Sequence, residues 1–345
     1  DATGLHVYPG IIDAGTTLGL SEIAKVVETV DAGEIGRYQP DLRAGISINA
    51  ESELFPVNRA GGVTMALVQP TGGSICGQGS LVQTGGWTAE KMVRNYYFAG
   101  LHVNWQDDAK SIEDLTSFFA EARLYDAARS RDEAAKKSGE APAAPIVLDP
   151  RYEAMRPYLK QERPLIVEAH NRKHIAQALN FAQDQKVKII ISGASDAWKL
   201  ADVLAERKVP CILGRTMRVP VDAYDPFDAT YANASRLHEA GVEFCFRSDQ
   251  PTNSRNVAFE ASIAVAYGLP EDEALKGVTL SSAKILGISD RTGSITKGKL
   301  ADLIITDGNP LQHTTQVKGI FVAGLPYAPT SKQSRLFEKY MQRLE

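Results

Sequence analysis

The residues of this 345-residue chain that could do chemistry stand at the ends of apolar runs. Asp13 closes "HVYPGIID", His170 closes "PLIVEAH", Ser192 stands at the end of "KIIISG", and Asp249 closes "VEFCFRSD". Among these polar, reactive-looking side chains, His170 and Asp249 are the candidates for catalysis, Asp249 as a general acid or base and His170 as a ligand or oxyanion stabiliser. Each also has a plain structural reading: a histidine at a strand end is often simply hydrogen-bonded, and Asp249 could cap the loop "QPTNSRN" through backbone N–H groups. Arg255, in that loop, is a candidate for binding a substrate carboxylate, with a surface ion pair as the alternative. Other catalytic arrangements fail. "GGSICG" has Cys76 where a G-x-S-x-G elbow ends in glycine, "GASDA" around Ser195 fails similarly, and "TGGSICGQGSLVQTGG" lacks the G-K-S/T of a phosphate loop. Its glycines read instead as tight turns at the mouth of the site. His6, His102, His174, His238 and His313 have no partner spacing and read as solvent-facing or incidental.

These residues need elements to position them. Runs at 6–13, 62–70, 164–170, 188–193, 210–214 and 242–249 are apolar without strict alternation, which predicts buried strands. Between them lie helical patterns: Ile175, Ala178, Leu179 and Ala182 repeat at i, i+3, i+4, i+7, and Asp196 is the expected N-cap of "AWKLADVLAERK". Strand alternating with helix predicts a parallel sheet. Polar residues closing several strands favour a (β/α)8 barrel, whose strand C-termini open on one face, over a doubly wound sheet. Residues 107–140 read as one long amphipathic helix, an insertion followed by a stiff "APAAP" linker. After 290, short strands with glycine turns precede a final helix in "SRLFEKYMQRLE". The expected division is a barrel over 1–290 with a helical insertion near 107–145, β-sandwich strands over 291–329 and a C-terminal helix over 330–345.

Composition excludes some functions. Hydrophobic residues make up 43% and charged residues 23%, and the net charge of −4 comes with no basic run, so no nucleic-acid partner is expected. No apolar run reaches the roughly 18–20 residues of a membrane span. Cys76, Cys211 and Cys245 form no C-x-x-C, so no disulfide framework is expected, and Cys211 and Cys245, each inside an apolar run, read as buried thiols. The compartment stays open between periplasm or export and cytoplasm.

In their order and spacing, "VYPGIIDA", "GGVTMALVQPTGG", "FRSDQ", "AYGLPEDEALKGVTLSSAKILGI" and "GSITKGKLADLIITDGNPL" resemble the amidohydrolase superfamily, in its imidazolonepropionase-like branch. The resemblance implies a metal-centred barrel that hydrolyses amide or cyclic-amide C–N bonds in a small-molecule substrate. It implies ligands too: an H-x-H on the first strand, a lysine or glutamate on the fourth, histidines on the fifth and sixth, and an aspartate on the eighth. This chain has Gly15 and Thr17 at the H-x-H and Ser192 at the sixth-strand histidine, and no lysine or glutamate fits the fourth strand. Glu168, His170 and Asp249 remain as candidate metal ligands, with Glu168 also an auxiliary carboxylate toward substrate. One histidine and two carboxylates would hold a single divalent metal such as zinc weakly or not at all.

Two readings follow: a hydrolase with a reduced or absent metal centre, or an inactive barrel serving as a ligand-binding or scaffold subunit for an intact relative. An enzyme predicts that Glu168, His170 and Asp249 converge on a pocket. An inactive barrel predicts a pocket filled by side chains or closed by residues 71–86. The resemblance also implies N-terminal strands that complete the sandwich. Here either a missing N-terminal segment or a partner in a homo- or hetero-oligomer is expected to supply them.

Overall fold

The computed structural model describes residues 1–93, 99–139 and 146–344. Eight strands form the main sheet in sequence order: β2 (Ile11–Thr16), β3 (Val63–Val68), β4 (Ile75–Gln83), β5 (Gly100–Asn104), β6 (Leu165–Ala169), β7 (Ile189–Gly193), β8 (Cys211–Leu213) and β9 (Phe244–Phe246). The last strand returns to the first. The Asp249 N–H bonds the Gly15 carbonyl at 3.1 Å, and buried Asp13 accepts from the Ser248 N–H and hydroxyl at 2.9 and 2.5 Å. The sheet is the barrel that the strand pattern predicts, with one departure. Residues 75–83, read as part of a glycine-rich turn region, form the fully buried β4, which runs antiparallel to both neighbours.

A second, antiparallel sheet has the order β1 (His6–Pro9), β10 (Leu303–Thr306), β11 (Val317–Val322), β12 (Leu325–Tyr327). The run 6–13 is therefore two strands, divided at Gly10 between the small sheet and the barrel. A Cβ at Gly10 would lie 2.1 Å from the Thr64 hydroxyl, so only glycine lets the chain cross there. In the small sheet β1 is an edge strand, and Val7 on it is 44% exposed.

The helix over Ala109–Ser138 starts at Asp108, whose carboxylate accepts from the Ser111 N–H, and stops at Gly139 in the left-handed conformation. Leu115, Phe118, Phe119 and Ala122 form its buried stripe. It joins β5 to β6 and serves as a crossover helix; the expected "APAAP" linker falls on 141–145, outside the described residues. The helix Arg172–Asp184 buries Ile175, Ala178, Leu179 and Ala182 as its periodicity predicts. Asp196 differs from expectation. Its carboxylate makes no capping bond to the backbone of its own helix, where it pairs with Lys199, but accepts from the Arg172 N–H at 3.0 Å, helping to cap the preceding one. The final helix spans Lys332–Met341.

Substituting Gly10→Ala should destabilise the protein by about 1–3 kcal/mol, the usual penalty of overpacking. Urea unfolding checks this, and Thr64→Ala in the same chain should recover part of the loss.

Candidate functional site

Side chains of a strand alternate between barrel interior and surrounding helices, so residues two apart stack in layers along the axis. The interior floor is apolar: Ile12, Leu67, Ile166, Ile190, Ile212 and Cys245. Two residues further along each strand, toward the C-terminal end, stand Gln69, Glu168, Ser192, Gly214 and Arg247. Two further again on β6 and β9 come His170 and Asp249. Chemistry begins where the apolar layer ends.

Arg247, only 3% exposed, occupies the centre of the polar layer. Its guanidinium forms a bidentate pair with Glu168, at 2.6 and 2.5 Å, donates to the Ser192 hydroxyl, and its Nε makes an ion contact with Asp249. Burial disfavours both charges, but the pairing outweighs it: Glu168 is held well below the usual carboxylate range and Arg247 is raised above its ordinary value. A Cβ on residue 15 would lie 2.8 Å from Arg247 Cδ, so glycine at that position makes room for the arginine.

His170 stands over this pair. Its Nε2 lies 2.8 Å from Glu168 Oε1, and its Nδ1 lies 3.2 Å from the Ser195 hydroxyl and 3.4 Å from a guanidinium nitrogen of Arg218. Arginine can only donate, so Nδ1 is the acceptor and the ring proton sits on Nε2, facing Glu168. Asp249 carries the less usual backbone of the mouth, with φ of +67°.

These groups border a cavity of about 360 Å³ whose wall also includes Gln69, His102, Asn104, Arg215, Arg218 and Gln250. A larger hollow of about 930 Å³ opens at the opposite end, among Pro164, Lys188 and Pro210, where strands begin. Its charged lining, Glu162, Lys188, Glu206, Arg207 and Lys208, comes with no histidine.

The structure brings Glu168, His170 and Asp249 together as expected. Ser192 bonds Arg247, whereas Thr17 is not in the cavity wall and Asp13 is buried at the seam between β2 and β9. Arg255 is exposed and packs its Cβ toward Gly61 rather than lining the cavity. Arg215 and Arg218 stand there instead, and the Arg215 Nε is buried without a hydrogen-bond partner.

His102, read as incidental, is a buried wall residue on the fourth barrel strand. Burial pushes its pKa down to about 3, so it is a neutral group, and its Nε2 has no partner. Arg247 was missed although its motif was quoted. The signal was its parity: Cys245, Arg247 and Asp249 alternate with Phe244 and Phe246, which places a cation on the inward face of a buried strand. The three cysteines are free, as expected, and all are buried, which pushes the Cys76 and Cys211 thiols up to about 12. No described helix is long and apolar enough to cross a membrane.

Comparison with known proteins adds a second line of observation. A sequence model of the amidohydrolase family matches residues 222–328. The chain is 37% identical over 92 residues to an imidazolonepropionase of Picrophilus torridus, a match covering 26% of this chain and 23% of that protein. It is 34% identical over 88 residues to the amidohydrolase tasK of Hapsidospora irregularis, covering 25% of this chain and 9% of that protein. These matches thus span less than a quarter of the relatives' length. The likeness in structure is broader: an amidohydrolase from Thermotoga maritima superposes with a TM-score of 0.84 at 26% identity, covering 95% of this chain and 88% of that one.

Two variants test the electrostatics. Arg247→Met leaves Glu168 and Asp249 facing each other unneutralised and should cost about 3–5 kcal/mol at pH 7. The cost should shrink as pH falls and the freed carboxylates protonate, which thermal unfolding from pH 4 to 8 reads directly. Asp13 has the opposite sign to Glu168, because burial raises its pKa from 3.8 to about 6 against the bonds from Ser248, Ser254 and Gly15. Between those values the unfolded chain loses the proton that the folded one keeps, so stability falls with rising pH by roughly 3 kcal/mol in all. Asp13→Asn should flatten that part of the pH–stability curve.

Proposed function

We propose that the chain, a member of the amidohydrolase superfamily in its imidazolonepropionase-like branch, hydrolyses amide or cyclic-amide C–N bonds with a resident arginine in place of the family's metal. The observation that carries this reading is the place of Arg247. Glu168, Ser192 and Asp249, three of the positions at which the family pattern puts ligands, contact this one guanidinium, and Gly15, a fourth, leaves room for its stem.

A divalent cation does not fit this set. Gly15 offers no ligand, and both carboxylates are already neutralised by a cation in the same space. On the fourth barrel strand His102 and Asn104 take the inward places where a lysine or glutamate would serve. No step is therefore routed through a metal. What the arrangement supplies is a fixed positive charge beneath the cavity, a histidine whose Nδ1 lone pair faces donors and can accept a proton, and a carboxylate that orients that ring.

The cavity also suggests what kind of substrate it takes. Arg215 and Arg218 form no salt bridge to a carboxylate among the described residues, so an anionic group on the substrate would complete them. These two residues take the role first considered for Arg255. A second reading, a barrel that binds such a ligand without turning it over, is favoured by one feature: Arg247 engages both Glu168 and Asp249, leaving neither carboxylate as a free base.

Elemental analysis of the purified protein, with turnover of carboxylate-bearing amides and cyclic imides measured in chelator, tests the proposal. Metal well below one ion per chain together with chelator-resistant hydrolysis is expected. Stoichiometric metal that disappears in Asp249→Ala and His170→Ala would sink it, and tight binding without turnover selects the second reading. Arg215→Ala should raise KM about 10- to 100-fold with a smaller effect on kcat, the loss of one charged hydrogen bond in binding.

A further inference from the structure

Resting on the metal-free reading, we infer that Ser195 is the nucleophile of this site, with His170 as its base, Glu168 as the positioning carboxylate and Arg218 as the group that receives the oxyanion. The geometry has the parts that nucleophilic acyl transfer requires. Ser195 Oγ is 3.2 Å from His170 Nδ1, the ring nitrogen shown above to be the acceptor. The other ring nitrogen faces Glu168 at 2.8 Å, and Arg247 locks that carboxylate from behind.

The turn that delivers Ser195 is built for close approach. Gly193 and Ala194, with φ of +85° and +49°, are both left-handed, and a Cβ on Gly193 would lie 2.5 Å from the His170 ring. A left-handed alanine is uncommon, because its Cβ crowds the neighbouring carbonyl oxygen. The segment "GASDA" fails the G-x-S-x-G rule only at Ala197, but it performs the same act: a sharp turn between strand β7 and the following helix presents a serine at the strand's C-terminal end. Ser195 is 7% exposed and lies beside Arg215, which it shares with the wall of a small adjoining hollow. Arg218 points at the same face of His170 as Ser195, so a carbonyl entering between them exchanges the Arg218–His170 contact for one to the substrate oxygen.

The chemistry closes without a metal. Ser195 Oγ bonds to the amide carbonyl carbon as its proton passes to His170 Nδ1, and the π pair moves onto the carbonyl oxygen beside Arg218. When that pair returns, the C–N bond breaks and the amine leaves with the proton from His170. Water then bonds to the acyl carbon, giving one proton to His170. The Ser195–acyl bond breaks, Ser195 regains that proton, and the carboxylic acid departs.

The test uses a fluorophosphonate, which phosphonylates activated serines, on the whole protein, with intact mass and peptide mapping. One adduct on Ser195 is expected, absent in Ser195→Ala and formed about 100-fold or more slowly in His170→Gln. Because Ser195→Ala removes a buried hydrogen bond, Ser195→Cys serves as the second variant. Its thiol should be alkylated by iodoacetamide at a rate that His170→Gln lowers, and the three native cysteines, being buried, leave the readout clean. No adduct on Ser195, or a rate indifferent to His170, overturns the inference. Amide turnover that survives Ser195→Ala overturns it while leaving the metal-free hydrolase standing; absence of both turnover and labelling in the parent protein overturns both.

Discussion

A guanidinium on the axis of a barrel, almost wholly removed from water, cannot stand without carboxylates around it. That constraint organises the mouth of this fold. Arg247 calls for Glu168 on β6 and Asp249 at the end of its own strand, takes the Ser192 hydroxyl from β7, and by its bulk demands glycine at position 15 on β2. Four strands separated by up to 230 residues are thus specified by one side chain. The same pairing keeps Glu168 ionised, which is what makes it a fixed orienter for His170.

The layers divide the labour of folding and chemistry. Isoleucines, leucine and a buried cysteine fill the floor and supply the non-directional driving force. Above them Glu168, Ser192 and Asp249 are held by directed contacts to Arg247, and the seam between β2 and β9 is held by Asp13 bonding Ser248 rather than by a longer strand pairing. Placing a carboxylate that resists ionisation at that seam trades some stability at neutral pH for a closed sheet. A satisfied network there also limits the motion of β9, on which Arg247 and Asp249 depend.

The strands legible in the sequence are those made of β-branched and other apolar residues: β3, β6, β7, β8 and β9 in the barrel and β10, β11 and β12 after residue 290, with β2 read as one run with β1. The strands β4 and β5 are not. "ICGQGSLVQ" carries glycine and glutamine on a strand buried on both faces, and glycine-rich polar segments ordinarily signal turns; here the glycines clear space, as Gly79 does for His102. Missing β5 hid His102, because a histidine has no face until its strand is known. Of the site, Glu168, His170 and Asp249 were legible because strand ends on one sheet share one opening. Arg215 and Arg218 were not, since they lie on a loop with no periodicity, and Arg255 drew attention only by its closeness to Asp249 in sequence.

The losses on β2 and the gain on β9 are one change rather than two. A side chain at residue 15 and an arginine at 247 exclude each other sterically, and a histidine there would add a second cation beside the first if protonated. An arginine in this place preserves the sign of the field that a divalent ion would give while halving its charge, so the two carboxylates beside it more than balance it and further ligands become unnecessary. The field is not equivalent in kind. A guanidinium can orient and stabilise an anion through directed N–H groups, but it cannot take water into its coordination sphere and lower its pKa toward 7. A barrel that makes this exchange keeps the means to attract and polarise a carbonyl and gives up the means to make hydroxide, so any attacking group must be activated by a base, and the base whose lone pair faces a hydroxyl at this mouth is His170.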